Sequence, residues 1–296
     1  AASALGAREV IIYLKGAFER EEATLRSVGG RVAVWRGADT YVAGEETAVL
    51  EALEDRRAWP RPKPPLPAAV GLRGRPTLVQ NVETLWRLRA AVRDPGAFRA
   101  GEKTLVSLWG HVRRPGVHEV PLGTPLRRVV DDWGGGATDG IGLVFPAGPS
   151  APPLAAEQAD VPLDPDALRA AGSGLGTAAL LVIGRSACPL AVAASVAAFF
   201  ERESCGQCPP CTVGTGSLAR IVRAVESGQA RARDLTSLAE AAGFMSGHGY
   251  CAHSRTAAAS VQPPRPAERA AKPMSQAARD ALRAALALPG PADESG

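Results

Sequence analysis

Aromatic residues make up only 5% of the chain, and its basic residues are scattered along it. A dedicated nucleic-acid binder interleaves aromatic stacking platforms with clustered Lys and Arg, so 34 Lys+Arg against 30 Asp+Glu indicates no nucleic-acid partner. Cysteine is also scarce: five residues in 296 are too few for a disulfide-stapled secreted domain. An unbroken apolar span is missing as well. The most apolar stretch, Ala178 to Phe200, is cut by Gly184, Arg185 and Pro189, which divide it into strand-sized and helix-sized pieces, so no direct membrane span is expected. Ala1 to Gly6 carry neither a basic nor an apolar leader region, and a cytoplasmic location is the expectation.

A length of 296 residues is long for one hydrophobic core, so two or three compact units are expected. Glu9 to Leu14 and Arg31 to Trp35 read as strands, with a short helix between them from Phe18 to Ser27. Glu45 to Asp55 place Ala48, Val49, Ala52 and Leu53 at helical spacing, which sets Gly44 at a helix N-terminus. Between Pro60 and Pro67 five of eight residues are proline, forming an extended strap with Lys63 in its middle. A helix is expected from about Asn81. Thr104 to Val112 and Val117 to Val120 flank the turn Arg114-Pro115-Gly116 and read as a hairpin. Thr124 is expected to cap a short helix ending at Gly134-Gly135-Gly136. Loop residues dominate from Gly148 to Asp164. A strand at Ala178 to Ile183 then precedes helices at about Pro189 to Glu203, Gly214 to Glu226 and Asp234 to Gly243. Beyond Ser260 the composition shifts to Pro, Ala, Arg and Lys, read as a solvated tail with one helix from Gln276 to Leu288.

The strongest local signal is Cys205-Gly206-Gln207-Cys208-Pro209-Pro210-Cys211, with Cys251 forty residues later. Three thiolates at steps of three, leaving a helix end, can take three corners of one 4Fe-4S cube, and Cys251 is the candidate for the fourth. A zinc site of three cysteines and one histidine, His248 or His253, is the competing reading. No cysteine followed by proline comes just after Cys211, so a single cluster is implied. Gly206, Gly214 and Gly216 would let backbone amides approach the sulfurs, or simply serve a tight loop. Cys188, beside Pro189, reads as a small buried residue.

The segments ESCGQCPPC at Glu203 to Cys211, GADTYVAGEETAVLEALE at Gly37 to Glu54, RPKPPLPA at Arg61 to Ala68 and PTLVQNVETL at Pro76 to Leu85 occur together. In combination and order they resemble the flavin-bearing NADH-oxidising subunit of respiratory complex I, shared with NAD-linked hydrogenases and formate dehydrogenases. The resemblance runs from Glu9 to about Ser260. It implies FMN, one 4Fe-4S cluster and NAD(H) as cofactors, a thioredoxin-like 2Fe-2S subunit and further electron-transfer subunits as partners, and a cytoplasmic location peripheral to the inner membrane through those partners. By the same match Gly44, Glu45 and Glu46 would line the flavin, Gln80, Asn81 and Thr84 would contact its phosphate or ribityl side, and Lys63 with Glu46 would face the nicotinamide nucleotide. The residue-level alternatives are plainer: Glu45 and Glu46 satisfying a helix dipole, Lys63 solvated, Asn81 an N-cap.

Some positions depart from the family pattern. Its glycine-rich flavin loop and acidic segment, which precede the first strand, do not occur in these 296 residues. Leu66 stands where the family usually has an aromatic, and Thr212 where it has arginine. The fold expected is a multidomain α+β chain. It comprises a partial Rossmann-like FMN/NADH-binding α/β layer over residues 1–95, a β-grasp domain of the soluble-ligand-binding type over 100–184, a helical 4Fe-4S-binding bundle over 185–260, and a largely disordered tail over 261–296. Two functions follow from different classes: an NADH dehydrogenase (diaphorase-type) subunit passing electrons from NADH via FMN to the cluster, and a non-enzymatic iron–sulfur electron-transfer or scaffold protein. No residue is expected to act as a catalytic acid, base or nucleophile.

Overall fold

The structure is a computed structural model describing residues 6–30 and 32–261, without the side chains of residues 99, 100 and 232. It is a mixed α/β chain with two sheets. β1 (Val10–Leu14) pairs in parallel with β2 (Val32–Arg36), Val10 opposite Val32, and α1 (Glu19–Val28) connects them. Acidic Glu19, Glu21 and Glu22 occupy the first turn of α1, where the helix dipole favours them. A single 3-10 turn, Tyr41–Gly44, then leads into α2 (Glu46–Leu53), whose apolar side, Ala48, Val49, Leu50 and Leu53, is buried. The proline strap is less extended than its composition suggests: the Lys63-Pro64 and Pro64-Pro65 peptides are both cis, and the strap closes on itself where Thr77 N–H donates to the Pro67 carbonyl at 2.9 Å. α3 (Val82–Arg93) and α4 (Pro95–Ala100) follow; α4, started by Asp94 as cap and Pro95, is not evident from the apolar spacing.

The second sheet has five strands in the order β4 (Gly116–Pro121), β3 (Lys103–Gly110), β7 (Ala179–Gly184), β5 (Ile141–Pro149), β6 (Leu154–Ala155). The expected hairpin is present as β3 (Lys103–Gly110) and β4 (Gly116–Pro121). β5 (Ile141–Pro149), for which the sequence reading gives no strand, ends inside the stretch read as loop from Gly148 to Asp164, and the short β6 (Leu154–Ala155) lies within that stretch. The reason is visible in the burial of β5. Val144 to Gly148 are consecutively buried, so the strand shows no polar face, while Gly142, Pro146 and Gly148 break the β-branched run that marks a strand. β7 (Ala179–Gly184) lies between β3, in parallel, and β5, antiparallel. Thr124 does not cap a helix: its hydroxyl donates to the Pro121 carbonyl, and Pro125 precedes a short α5 (Leu126–Arg128) that widens into a π turn through Trp133. α6 (Pro165–Ala170) is a further short helix, capped by Asp164.

β5 and β7 separate two cores, because successive side chains point to opposite faces of a sheet. Val144, Leu180 and Val182 pack with Val106, Leu126 and Val130 on one face. Phe145, Leu181 and Ile183 face the helical layer on the other. That layer comprises α7 (Pro189–Arg202), α8 (Pro209–Glu226), α9 (Ala232–Met245) and α10 (Ala252–Val261), packed around Phe200, Leu218, Ile221 and Met245. α8 begins five residues earlier than its apolar periodicity indicates, since Pro209 and Pro210 are well suited to a first helical turn. α10 is not marked by apolar periodicity, because His253 and the small residues Ser254, Ala257 and Ala258 form its buried side. The helix expected at Gln276 to Leu288 lies outside the described residues. Among the described residues no helix is long and apolar enough to cross a membrane.

Candidate cofactor site

The three clustered cysteines bridge two helices. α7 ends at Arg202, and after a short loop Cys208 becomes the N-cap of α8, with Cys211 in its first turn. Gly206, at φ 82°, supplies the left-handed turn that brings Cys205 round, and a Cβ on it would meet nothing within 4 Å. Gly214 has a different task. A Cβ there would lie 2.4 Å from Met245 Cγ, so its role is the close packing of α8 on α9. Cys251 comes from the segment leading into α10, and its thiol lies near enough to Cys205, Cys208 and Glu45 to feel their charge.

The four thiols therefore converge from three segments. Burial, reinforced by Cys208, Cys251 and Cys205, pushes the Cys211 thiol up to about 11, against the Ser204 hydroxyl 3.5 Å away. Burial likewise raises Cys251, countered by the His253 backbone N–H. Neighbouring thiols whose ionisation is opposed by burial, as at Cys211 and Cys251, suit a polycationic inorganic centre, which compensates their charges together. The two histidines of the zinc alternative are engaged elsewhere: His253 Nε2 lies 2.8 Å from the Phe200 carbonyl and His248 Nδ1 2.8 Å from that of Phe244. Burial holds the His253 pKa below the ordinary imidazole value. Cys188 is exposed, correcting the expectation that it is buried; it stands as the N-cap of α7 without a side-chain cap bond.

A second constellation adjoins the first. Glu45 caps α2, its carboxylate accepting from Thr47 N–H at 2.9 Å and Ala48 N–H at 3.0 Å. The strap brings Lys63 Nζ to 2.6 Å from both Glu45 Oε1 and Glu46 Oε1. Burial opposes the lysine charge, but the two carboxylates outweigh it and hold the ammonium above its ordinary pKa. Lys63 is thus paired rather than solvated. The strap is fixed at its base by Arg61, which pairs with Glu51 and Glu54. Hydrogen bonding from Arg56, with Arg61 adding to it, outweighs burial and lowers the Glu51 carboxyl to about 2. Gly44 ends the 3-10 turn beside Glu45, with open space where a side chain would stand.

Two backbone-directed contacts fasten the constellations together. Tyr41 N–H donates to Glu203 Oε2 at 3.0 Å, and Gln207 Nε2 donates to the Pro60 carbonyl at 3.0 Å. The Tyr41 ring also meets Phe199 edge-on, at 5.2 Å between centroids. Gln80, Asn81 and Thr84 are exposed at the start of α3, and Asn81 Oδ1 accepts Glu83 N–H at 2.8 Å as an N-cap. Residue-type reasoning passed over Thr47, Arg61 and Gln207. Only the position of Gln207 between two cysteines could have drawn attention to it.

Comparison with known proteins matches residues 191–263 to the NADH-ubiquinone oxidoreductase-F iron-sulfur binding region, residues 1–90 to the Nuo51 FMN-binding domain and residues 105–142 to the SLBB domain. The chain is 41% identical over 230 residues to the second NADH-quinone oxidoreductase F subunit of Rhizobium meliloti, covering 75% of itself and 55% of that protein. It is 34% identical over 292 residues to the NADH-quinone oxidoreductase F subunit of Rickettsia typhi, covering 88% of itself and 69% of that protein. Against the counterpart from Mycobacterium bovis it is 40% identical and spans 56% of the relative's length, little more than half. Among solved structures, an NAD+-reducing [NiFe]-hydrogenase in the H2-reduced state superposes with a TM-score of 0.76 at 32% identity, over 87% of this chain and 47% of that one.

Proposed function

The chain belongs to the family of NADH-quinone oxidoreductase F subunits, and from that premise we propose that it serves electron input, taking electrons from NADH and delivering them to a partner iron–sulfur subunit. The observation carrying this reading is the convergence of Cys205, Cys208, Cys211 and Cys251 beside the Glu45–Lys63–Glu46 constellation. The four cysteines would ligate a single 4Fe-4S cluster, with Ser204 and Gln207 directed at its ligand sulfurs. Gly44 leaves room for a flat ring, and Lys63 with Glu46 would meet the nicotinamide nucleotide. When bound, FMN would take one hydride, carrying two electrons, and supply those electrons singly to a 4Fe-4S cluster that holds one at a time. The side chains bind, orient and neutralise charge; none is required to exchange a proton.

In this reading residues 1–95 form part of a Rossmann-like FMN/NADH layer, 100–184 a β-grasp unit and 185–260 a helical cluster unit. The partner is a thioredoxin-like 2Fe-2S subunit, through which the chain would be peripheral to the inner membrane on its cytoplasmic side. One observation favours a second reading, a non-enzymatic iron–sulfur electron carrier: Gln80, Asn81 and Thr84 are exposed at the start of α3, with Asn81 engaged as its N-cap.

Anaerobic reconstitution with iron and sulfide, then with FMN, separates the readings. Brown protein with about four irons per chain is expected, together with bound flavin and NADH-dependent dye reduction. Cys251→Ser should lose the cluster whereas Cys188→Ser keeps it. Cluster without flavin at saturating FMN selects the electron carrier, and colourless protein holding one zinc overturns both.

A further inference from the structure

An unbroken hydrogen-bonded path links the sulfur of Cys205 to Lys63. Gln207 Nε2 carries two hydrogens. One is directed at Cys205 Sγ, 3.6 Å away, and the other at the Pro60 carbonyl, 3.0 Å away. Across the same peptide plane Arg61 N–H donates to Thr47 Oγ1 at 2.8 Å. The Thr47 hydroxyl, on a residue only 1% exposed, donates onward to Glu45 Oε2 at 2.5 Å. The other oxygen of that carboxylate accepts from Lys63 Nζ at 2.6 Å. From Gln207 to Glu45 every donor points the same way, and such head-to-tail chains polarise one another.

We infer that Gln207 and Thr47 are positioning residues that couple the redox state of the cluster ligated by Cys205 to the occupancy of Lys63 by a nucleotide diphosphate. The inference rests on the function proposed above. An anion at Lys63 draws the ammonium from Glu45 and leaves that carboxylate less neutralised. The chain from Gln207 then pulls harder toward Glu45. The shared amide nitrogen becomes a poorer donor to the Cys205 sulfur, and a ligand sulfur with a weaker hydrogen bond disfavours the extra electron. Linkage is reciprocal, so an electron on the cluster must loosen the nucleotide by the same factor. Reduction of the cluster would thereby promote release of the spent nucleotide.

The test is the affinity for ADP-ribose, a redox-inert nucleotide diphosphate, of reconstituted holoprotein in its oxidised and dithionite-reduced forms. Iron is assayed in every sample. The wild type should bind the oxidised form about fivefold tighter, the lower end of ordinary coupling between sites. Thr47→Ser, which keeps the hydroxyl, should retain that ratio, and Thr47→Val and Gln207→Leu should each bring it toward one. Any contribution of a reduced flavin is common to all four proteins and cancels in the comparison. Thr47→Val lies three hydrogen bonds from the sulfur, so the inference remains testable if Gln207→Leu fails to hold iron. Equal ratios in wild type and Thr47→Val at full iron content overturn the coupling alone. A wild type that holds iron but binds no ADP-ribose, or holds no iron, overturns the functional reading and this inference with it.

Discussion

Replacing Glu51 by Gln removes the charge to which the strap is anchored while keeping the side-chain shape. Hydrogen bonding from Arg56, opposed by burial and supported by Arg61, lowers this carboxyl from 4.5 to about 2. At about 1.36 kcal/mol per unit that difference corresponds to a ceiling of roughly 3 kcal/mol. Solvent screening reduces it, because the Arg56 side chain is 53% exposed and pairs of that kind contribute about 0–1 kcal/mol. Glu51→Gln should therefore cost about 1–2 kcal/mol, a factor of roughly 5–30 in the local opening constant. The readout is hydrogen exchange at two strap amides, Arg61 N–H on Thr47 and Thr77 N–H on the Pro67 carbonyl. Both should exchange faster in the variant at pH 7 by that factor, after correction for intrinsic rates. Because the folded-state pKa is depressed, the wild-type advantage is complete above pH 4.5, declines as pH falls toward 2 and vanishes below it. Equal exchange at pH 7, or a difference undiminished at pH 2, would refute the assignment of the anchor to this carboxylate.

Two further substitutions probe packing around the same region. Gly37→Ala would place a Cβ 1.9 Å from the Tyr13 hydroxyl oxygen, forcing the ring away from the Gly37 backbone. A loss of about 1–3 kcal/mol is expected by thermal or urea denaturation, and an unchanged midpoint would show that the close approach of Gly37 to Tyr13 carries no weight in stability. Phe200→Ala should cost about 3–5 kcal/mol, since the ring is 1% exposed and stacks edge-on against Phe199 and His253; a loss below about 1 kcal/mol would mean that the helical layer refills the space.

The two constellations differed in how much the sequence disclosed. Cys205, Cys208 and Cys211 advertise themselves because their spacing is local, and the prolines after Cys208 suit the start of α8. Lys63 in a proline strap and Glu45 at a helix start were visible as separate features. Their pairing was not, because it joins residues 18 apart through a turn whose direction no local pattern encodes. Strand β5 escaped for a related reason: burial on both faces erases the alternation that marks a strand. Asn81 shows the converse, since its N-cap role follows from residue type alone and is what the structure displays.

The family, the chemistry of the donor set and most of the helices were legible from residue order alone, because thiol spacing, apolar periodicity and capping residues act over a few neighbouring positions. The packing of distant segments alone brings Cys251 near Cys205 and Cys208, holds Lys63 between two carboxylates and lets Gln207 span from a cysteine sulfur to the strap. Those contacts connect segments up to 147 residues apart, and their geometry depends on how the helical layer packs against the sheet and the strap.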